Sequence, residues 1–314
     1  MRSTRSGQTV VLLGPQLRTS TLPVVLEELE IRGRVAIVTA GWQEREDETL
    51  RLSEHLAGRG DFLDLHRRGD DAFTRDPELA DMHRARQHRL QEAQALYNVR
   101  LDRAGEAVLE LGRRTGSDDL IAAARREAME TVRHIDAEHL ERIRTIHAEH
   151  AGLLKFAERR SLAGHRREVA RIVGKADALG IAGGHVAVLL NRLEMFGIAD
   201  AVGGRTVLGW SAGAMVLCER IVVYHDTPPQ GPGNAELFES GLGLCQGVIA
   251  LPHARSRLRL DDAARVTRFA ERWAPDRCVA LDDGARLTLT NDGWSASRDT
   301  CVLAAAGTLE ELVA

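Results

Sequence analysis

Residues 206–218, Thr-Val-Leu-Gly-Trp-Ser-Ala-Gly-Ala-Met-Val-Leu-Cys, set a short apolar run against a helix-favouring run, with Gly209-x-Ser211-x-Gly213 at the joint. A serine on a sharp strand-to-helix turn needs small neighbours, and glycines on both sides relieve the crowding. The backbone N–H of Ala212 would face a developing oxyanion, and the N-terminus of the following helix would add partial positive charge. The plain alternative is a chance G-x-S-x-G in a loop. The strand before it and the helix after it argue for a nucleophilic serine at the end of a buried strand.

Outward from this elbow the chain alternates strand and helix signals. Residues 9–14 and 34–40 are short apolar runs bounded by turn residues, and 62–65 is a third strand candidate. Helical spacing marks 21–31 and the stretch around Leu50, Leu52 and Leu56. The alternation resumes with a strand at 178–182, a helix at 186–197, the strand at 206–208 and a helix at 212–220. A strand at 247–251, a helix near 261–273 and strands near 278–281 and 286–290 follow. This order predicts an α/β fold with a doubly wound, mostly parallel sheet.

Between these halves the character changes. From Pro77 to Arg160 the chain is rich in Arg, Glu, Ala, Leu and His and has no further proline. Gly116-Ser117-Asp118-Asp119 reads as a break and an N-cap. Two long helices are expected, at 79–113 and 118–160. Met129, Val132, Leu140, Ile143, Ile146 and Leu153 form one packed face without a clean heptad. Setting aside about 85 helical residues leaves roughly 230, a normal size for one doubly wound domain. The expected organisation is therefore one doubly wound α/β domain of residues 1–75 and 164–314, with a helical insertion at 76–163.

Composition narrows the function. Forty-two basic residues against 46 acidic give a net charge of −4, which argues against a general nucleic-acid binder. Cys218, Cys245, Cys278 and Cys301 form no C-x-x-C pair, so neither a zinc ribbon nor a redox motif is indicated. The first residues carry too short an apolar run for a signal-peptide core. No stretch approaches the about 18 apolar residues of a membrane span. A cytoplasmic protein without a membrane partner is expected.

Gly-Trp-Ser-Ala-Gly-Ala at 209–214 resembles the nucleophile elbow of the S51 serine peptidases, the family of aspartyl dipeptidase and cyanophycinase. That family is similar in fold to class I glutamine amidotransferases but carries serine in place of cysteine. Gly183-Gly184-His185 stands where the family has Gly-Gly-Asn. Gly241-Leu242-Gly243-Leu244, followed by Leu251-Pro252-His253, resembles the segment leading to the family's histidine. Arg257 and Arg259 follow four and six residues later, as in the cyanophycinase-like pattern. Leu281-Asp282-Asp283-Gly284-Ala285 resembles a later acidic turn of the family. The resemblance covers about 9–73 and 164–305 and leaves out the helical insertion.

The resemblance implies roles. Ser211 is the nucleophile and His253, rather than His225, its base. Asp283 is the expected orienting acid, with Asp226 of Tyr224-His225-Asp226 as the other candidate. Asp282 and Asp283 read on their own as a turn pair. Gly184 would supply the second oxyanion donor beside Ala212, since Gly-Gly lets backbone approach a carbonyl closely. Family members act on short acidic or aspartate-linked peptides, so Arg255, Arg257 and Arg259 are candidates to hold a substrate carboxylate. His185 and Met215 replace family asparagines at substrate-binding positions, which puts specificity for an N-terminal aspartate in doubt.

The insertion carries His83, His88, His134, His139, His147 and His150. Pairs three or four apart can share a helical face, yet two ligands do not make a metal site; a solvated face is the expected reading. No metal or organic cofactor is expected. The implied activity is cleavage of a peptide or isopeptide bond through an acyl-enzyme, on a peptide or small-molecule substrate. The alternative is a catalytically silent member of the fold that acts through its insertion as a binding or assembly module. On either reading a homo-oligomer is expected, with the insertion a candidate contact.

Overall fold

The computed structural model describes residues 1–3, 7–16, 20–116, 118–226 and 233–313. Five parallel strands form the centre of a seven-stranded sheet, in the order Val10–Leu13, Thr206–Trp210, Ala178–Ile181, Val35–Val38 and Gly60–Phe62. Antiparallel strands Arg286–Leu289 and Trp294–Ala296 extend it beyond Val10–Leu13. Val10–Leu13, Ala178–Ile181 and Val35–Val38 are apolar and buried throughout because both their faces are covered. Alternate residues separate to opposite sides: Val10, Leu12, Val38 and Val207 join one core, while Val11, Leu13, Ile37 and Leu208 join another.

The fold is α/β as expected, and of the late strands Arg286–Leu289 joins this sheet while two others do not. Val248–Pro252 and Arg277–Leu281 pair in parallel in a second sheet of four strands. Cys301–Leu303 and Leu309–Glu311 complete it, antiparallel. Two strand and helix bounds also shift. The third strand is Gly60–Phe62, and Leu65 already opens the helix Leu65–Arg75. That helix start has no local cap. The carboxylate of Glu46, 20 residues upstream, accepts the His66 and Arg67 amides at 3.0 and 2.9 Å.

The long helices are Pro77–Arg113 and Asp118–Leu154, 37 residues each. At 1.5 Å per residue each spans about 55 Å. Asp76 caps the first by accepting the Leu79 amide at 3.0 Å, with Pro77 in the first turn where its missing N–H costs nothing. The second helix stops at Leu154, and Arg160–Lys175 is a separate helix. Leu154 is therefore the buried residue at this end, while the expected Leu153 is exposed.

The hairpin docks on the α/β body through a buried polar knot. Arg272 donates from Nε and Nη2 to Asp136 at 2.8 and 2.7 Å, and from Nη1 to the Ala235 carbonyl at 2.7 Å. The Tyr97 hydroxyl donates to Asp136 at 2.8 Å and accepts the Leu237 amide at 3.0 Å. Each of these buried polar groups thus has partners, which a dry environment demands.

The insertion histidines divide between surface and packed positions. His88 and His134 pair with carboxylates one turn away on solvated faces, as expected. His83 instead faces Asn191 across 3.3 Å, and His139 stacks on Tyr97 with ring centroids 4.1 Å apart. Burial pushes both down to about 4, aided by Arg86 at His83 and Arg142 at His139. Both are therefore neutral in the folded protein where histidines of the unfolded chain, near 6.5, are already protonated. Their contribution is complete above about pH 6.5 and is lost as pH falls toward 4. Each costs up to about 1.4 kcal/mol per pH unit in that window. Urea unfolding at pH 7 and pH 4.5 should show this loss, and His83→Gln should make it shallower. An unchanged slope would mean that His83 is not buried neutral.

Candidate active site

The candidate residues gather where strands end. Ser211 follows Thr206–Trp210, Gly183 and Gly184 follow Ala178–Ile181, and Gly41 follows Val35–Val38. His253 follows Val248–Pro252, and Asp282 follows Arg277–Leu281. The carboxyl ends of parallel strands are where open α/β sheets form their clefts.

Ser211 adopts φ 53° and ψ −124°, a conformation that side-chain-bearing residues rarely take. The turn is this tight because both glycines of the motif are wedged. A Cβ on Gly209 would lie 2.4 Å from the Gly213 carbonyl oxygen, and one on Gly213 would lie 2.0 Å from that of Ile181. The helix Ala212–Leu217 begins directly after the serine, so its first amides have no intrahelical acceptor. At its other end, Leu242 and Leu244 amides donate to the Val216 and Leu217 carbonyls at 2.7 and 2.9 Å. The Gly241–Leu244 segment thereby caps the helix that follows Ser211.

Ser211 Oγ and His253 Nε2 stand 3.1 Å apart. With Nδ1 carrying the imidazole proton, the hydroxyl donates to Nε2, the arrangement a general base needs. Burial holds His253 below its usual range and Arg257 lowers it further, while Asp282 and, to a smaller degree, Asp283 oppose them.

The strand register explains which acid is nearer. Pro252 pairs with Leu281, so His253 and Asp282 are the next residues of adjoining strands, and the His253 amide donates to the Leu281 carbonyl at 3.2 Å. Asp282 is partly buried and its Oδ1 accepts the Arg255 amide at 3.0 Å, whereas Asp283 is exposed. Burial raises Asp282 above the usual carboxylate range. The strand end of Val10–Leu13 fits closely against this turn: a Cβ on Gly14 would lie 1.8 Å from the Asp282 carbonyl oxygen.

Asp226 is engaged elsewhere. Its carboxylate accepts Arg265 Nη2 at 2.7 Å and the Arg259 amide at 2.9 Å, and its own amide donates to the Arg257 carbonyl at 2.7 Å. It therefore fixes the backbone that follows His253. The Tyr224 hydroxyl does the same for the preceding strand by donating to the Pro252 carbonyl at 2.5 Å.

Gly184 sits at φ +110°, pressed between neighbouring loops. A Cβ there would lie 2.2 Å from the Gly41 carbonyl oxygen, and a Cβ on Gly183 would lie 2.7 Å from Ser211 Cβ. The Gly-Gly pair thus runs directly beside the elbow, with Gly184 exposed. His185 is also exposed; it caps the helix Val186–Met195 and donates its amide to the Gly41 carbonyl at 2.7 Å.

Met215 is buried in the core. Arg255 and Arg257 lie on the single helical turn Ala254–Arg257, with Arg259 just beyond, so they do not form one strand face. All three are exposed. Among the described residues, no three His, Cys, Asp or Glu side chains converge as metal ligands would.

Two features lay outside the sequence reading. Asp282 was legible only as half of an Asp-Asp turn, and register decides which of the two adjoins the histidine. Gln43, in the loop after Val35–Val38, takes φ 57° and ψ −124°, nearly the angles of Ser211. No residue pattern signals such a conformation for a glutamine.

A serine on a strained strand-to-helix turn, hydrogen-bonded to a histidine at the end of another strand, defines a hydrolase-type site. The sequence model of peptidase family S51 matches residues 130–296, just over half of the chain and the part that holds Gly184, Ser211, His253 and Asp282. The chain belongs to peptidase family S51, a family of peptidase-type hydrolases.

Among solved structures, a peptidase from an acI-B1 Actinobacterium is similar over 98% of this chain and 96% of its own, with 12% identity and a TM-score of 0.50. That likeness is one of fold. A putative peptidase E protein from Listeria monocytogenes EGD-e aligns over 92% of this chain and 98% of its own, at 12% identity and a TM-score of 0.44. No curated protein matches the sequence. Among the described residues, no helix is long and apolar enough to cross a membrane.

Proposed function

We propose that the protein is a serine peptidase that cleaves a peptide or isopeptide bond through an acyl-enzyme on Ser211. The observation that carries this reading is the 3.1 Å contact between Ser211 Oγ and His253 Nε2 on an elbow whose backbone is strained. Ser211 Oγ attacks the scissile carbonyl carbon as His253 Nε2 takes its proton. The carbonyl oxygen becomes an oxyanion held by the amides of Ala212 and Gly184. His253 then gives the proton to the leaving nitrogen, the C–N bond breaks, and the ester on Ser211 remains. A water, deprotonated by the same histidine, releases the acid product.

Asp282, with Asp283 beside it, supplies the negative charge that favours the imidazolium during these steps. Met215 drops out as a substrate contact because it is buried in the core.

The test needs no substrate. A fluorophosphonate should phosphonylate Ser211 stoichiometrically, found by mass on the peptide containing residues 206–217. The reaction requires neutral His253, and burial together with Arg257 lowers that group. Its rate should therefore fall on acidification with a midpoint below 6.5, and Arg257→Ala should move the midpoint upward. Asp282→Asn, which removes an opposing charge, should move it downward. Labelling elsewhere, or no labelling, overturns the proposal.

A further inference from the structure

A cavity of about 420 Å³ lies between the helical hairpin and the catalytic body. It opens beside the site: His185 lines it, only two residues after Gly183, whose Cβ position is 2.7 Å from Ser211 Cβ. Consecutive Cα atoms are about 3.8 Å apart, so a peptide side chain next to the scissile bond can reach it. Leu90, Leu190 and Phe238 give it apolar walls. Such a mixture of apolar walls and a few placed polar groups is typical of ligand sites.

Its charge is one-sided. Among the described lining residues there is no lysine or arginine. Glu239 lines the cavity, is more than nine-tenths buried, and meets His147 Nε2 at 2.9 Å. Just behind the wall, Glu236 accepts the lining amides of Gln94 and Asn98 at 3.0 and 3.1 Å. Among the described residues neither carboxylate is paired with an arginine or lysine. Glu194 does have such a partner, the fully buried Arg86. A carboxylate entering this space would meet two acids that no lysine or arginine neutralises, whereas a cation would be attracted and its aliphatic stem covered.

We infer that the hairpin cavity is a specificity subsite for a positively charged group of the substrate, either a lysine or arginine side chain or a peptide's α-ammonium. The inference rests on the peptidase reading only in taking that ligand to be a peptide. It departs from a preference for acidic substrates, and it gives the insertion a part in recognition.

Calorimetry on the full-length Ser211→Ala protein separates binding from turnover. The probes are N-acetyl-arginine amide, N-acetyl-citrulline amide, N-acetyl-aspartate amide and alanine amide, whose α-amine is free. One or both cationic probes should bind at least tenfold more tightly than citrulline and aspartate. Tight binding of alanine amide alone assigns the α-ammonium; of the acetylated arginine alone, the side chain.

Adding Glu239→Gln should remove the tenfold preference. So should Gln91→Arg, which adds a cation at an exposed lining position and reads the same effect if the buried substitution does not fold. Preferred binding of the aspartate probe, no binding of any probe, or a cationic preference unmoved by both variants overturns the subsite. Absence of Ser211 labelling in the wild type instead overturns the peptidase proposal and leaves the binding result standing.

Discussion

Ser211→Ala lowers kcat by on the order of 10⁶-fold on any peptide the wild type cleaves, because nucleophile, base and oxyanion donors act as a unit. On the proposed mechanism the residual rate would come from the amides of Gly184 and Ala212, which the substitution leaves in place. Binding of substrate should change little, so the loss falls on kcat. A loss of less than tenfold would mean that Ser211 is not the nucleophile.

Ser211→Gly separates chemistry from folding. The serine's φ of 53° and ψ of −124° store about 1–3 kcal/mol, and glycine relieves it. Glycine's extra freedom in the unfolded chain costs about 0.5–1 kcal/mol, so relief wins. The glycine variant should therefore be inactive and more stable than wild type by about 1 kcal/mol in urea unfolding. A glycine variant that is less stable would show that the elbow is not strained.

Much of the site was readable because its demands are local. The two glycines around Ser211 and the Gly183–Gly184 pair are needed within a few residues of where backbone comes too close for a Cβ, so the sequence records them directly. The long helices were readable from their lack of internal proline and their Arg-, Glu- and Ala-rich composition, with Asp118 opening the second as expected; the cap expected around Ser117 lies outside the described residues.

Long-range pairing was not readable in the same way. That Val248–Pro252 and Arg277–Leu281 leave the main sheet for their own depends on hydrogen bonds between strands 25 or more residues apart. The choice between Asp282 and Asp283 follows from that register. Asp226 was a candidate because Tyr224-His225-Asp226 resembles a family motif; Arg265, 39 residues away, commits its carboxylate to structure. The caps that come from a distance, such as Glu46 on the helix beginning at Leu65, leave no trace beside the helix they start.

The largest stability effect is expected at Asp136. This carboxylate is 4% exposed and joins three parts of the molecule: Tyr97 on the first hairpin helix, its own second helix, and Arg272 on the helix Ala263–Trp273. Among the described residues, Asp136→Ala leaves the Arg272 guanidinium buried with the Tyr97 hydroxyl, the Ala235 carbonyl and the face of Trp273, 4.4 Å away. Breaking a buried pair from one side costs about 3–5 kcal/mol, because the remaining charge has lost its compensation.

Removing both charges costs less than removing one. The double substitution Asp136→Leu with Arg272→Met should recover most of the loss, since apolar replacements of a buried pair are often neutral. Denaturant unfolding of the two single variants and the double variant measures this directly. Equal and additive losses, each under 1 kcal/mol, would mean that the knot is solvated and that the hairpin is held by its apolar face alone. A large single loss with recovery in the double variant would establish that one buried charge pair pins the insertion to the catalytic body.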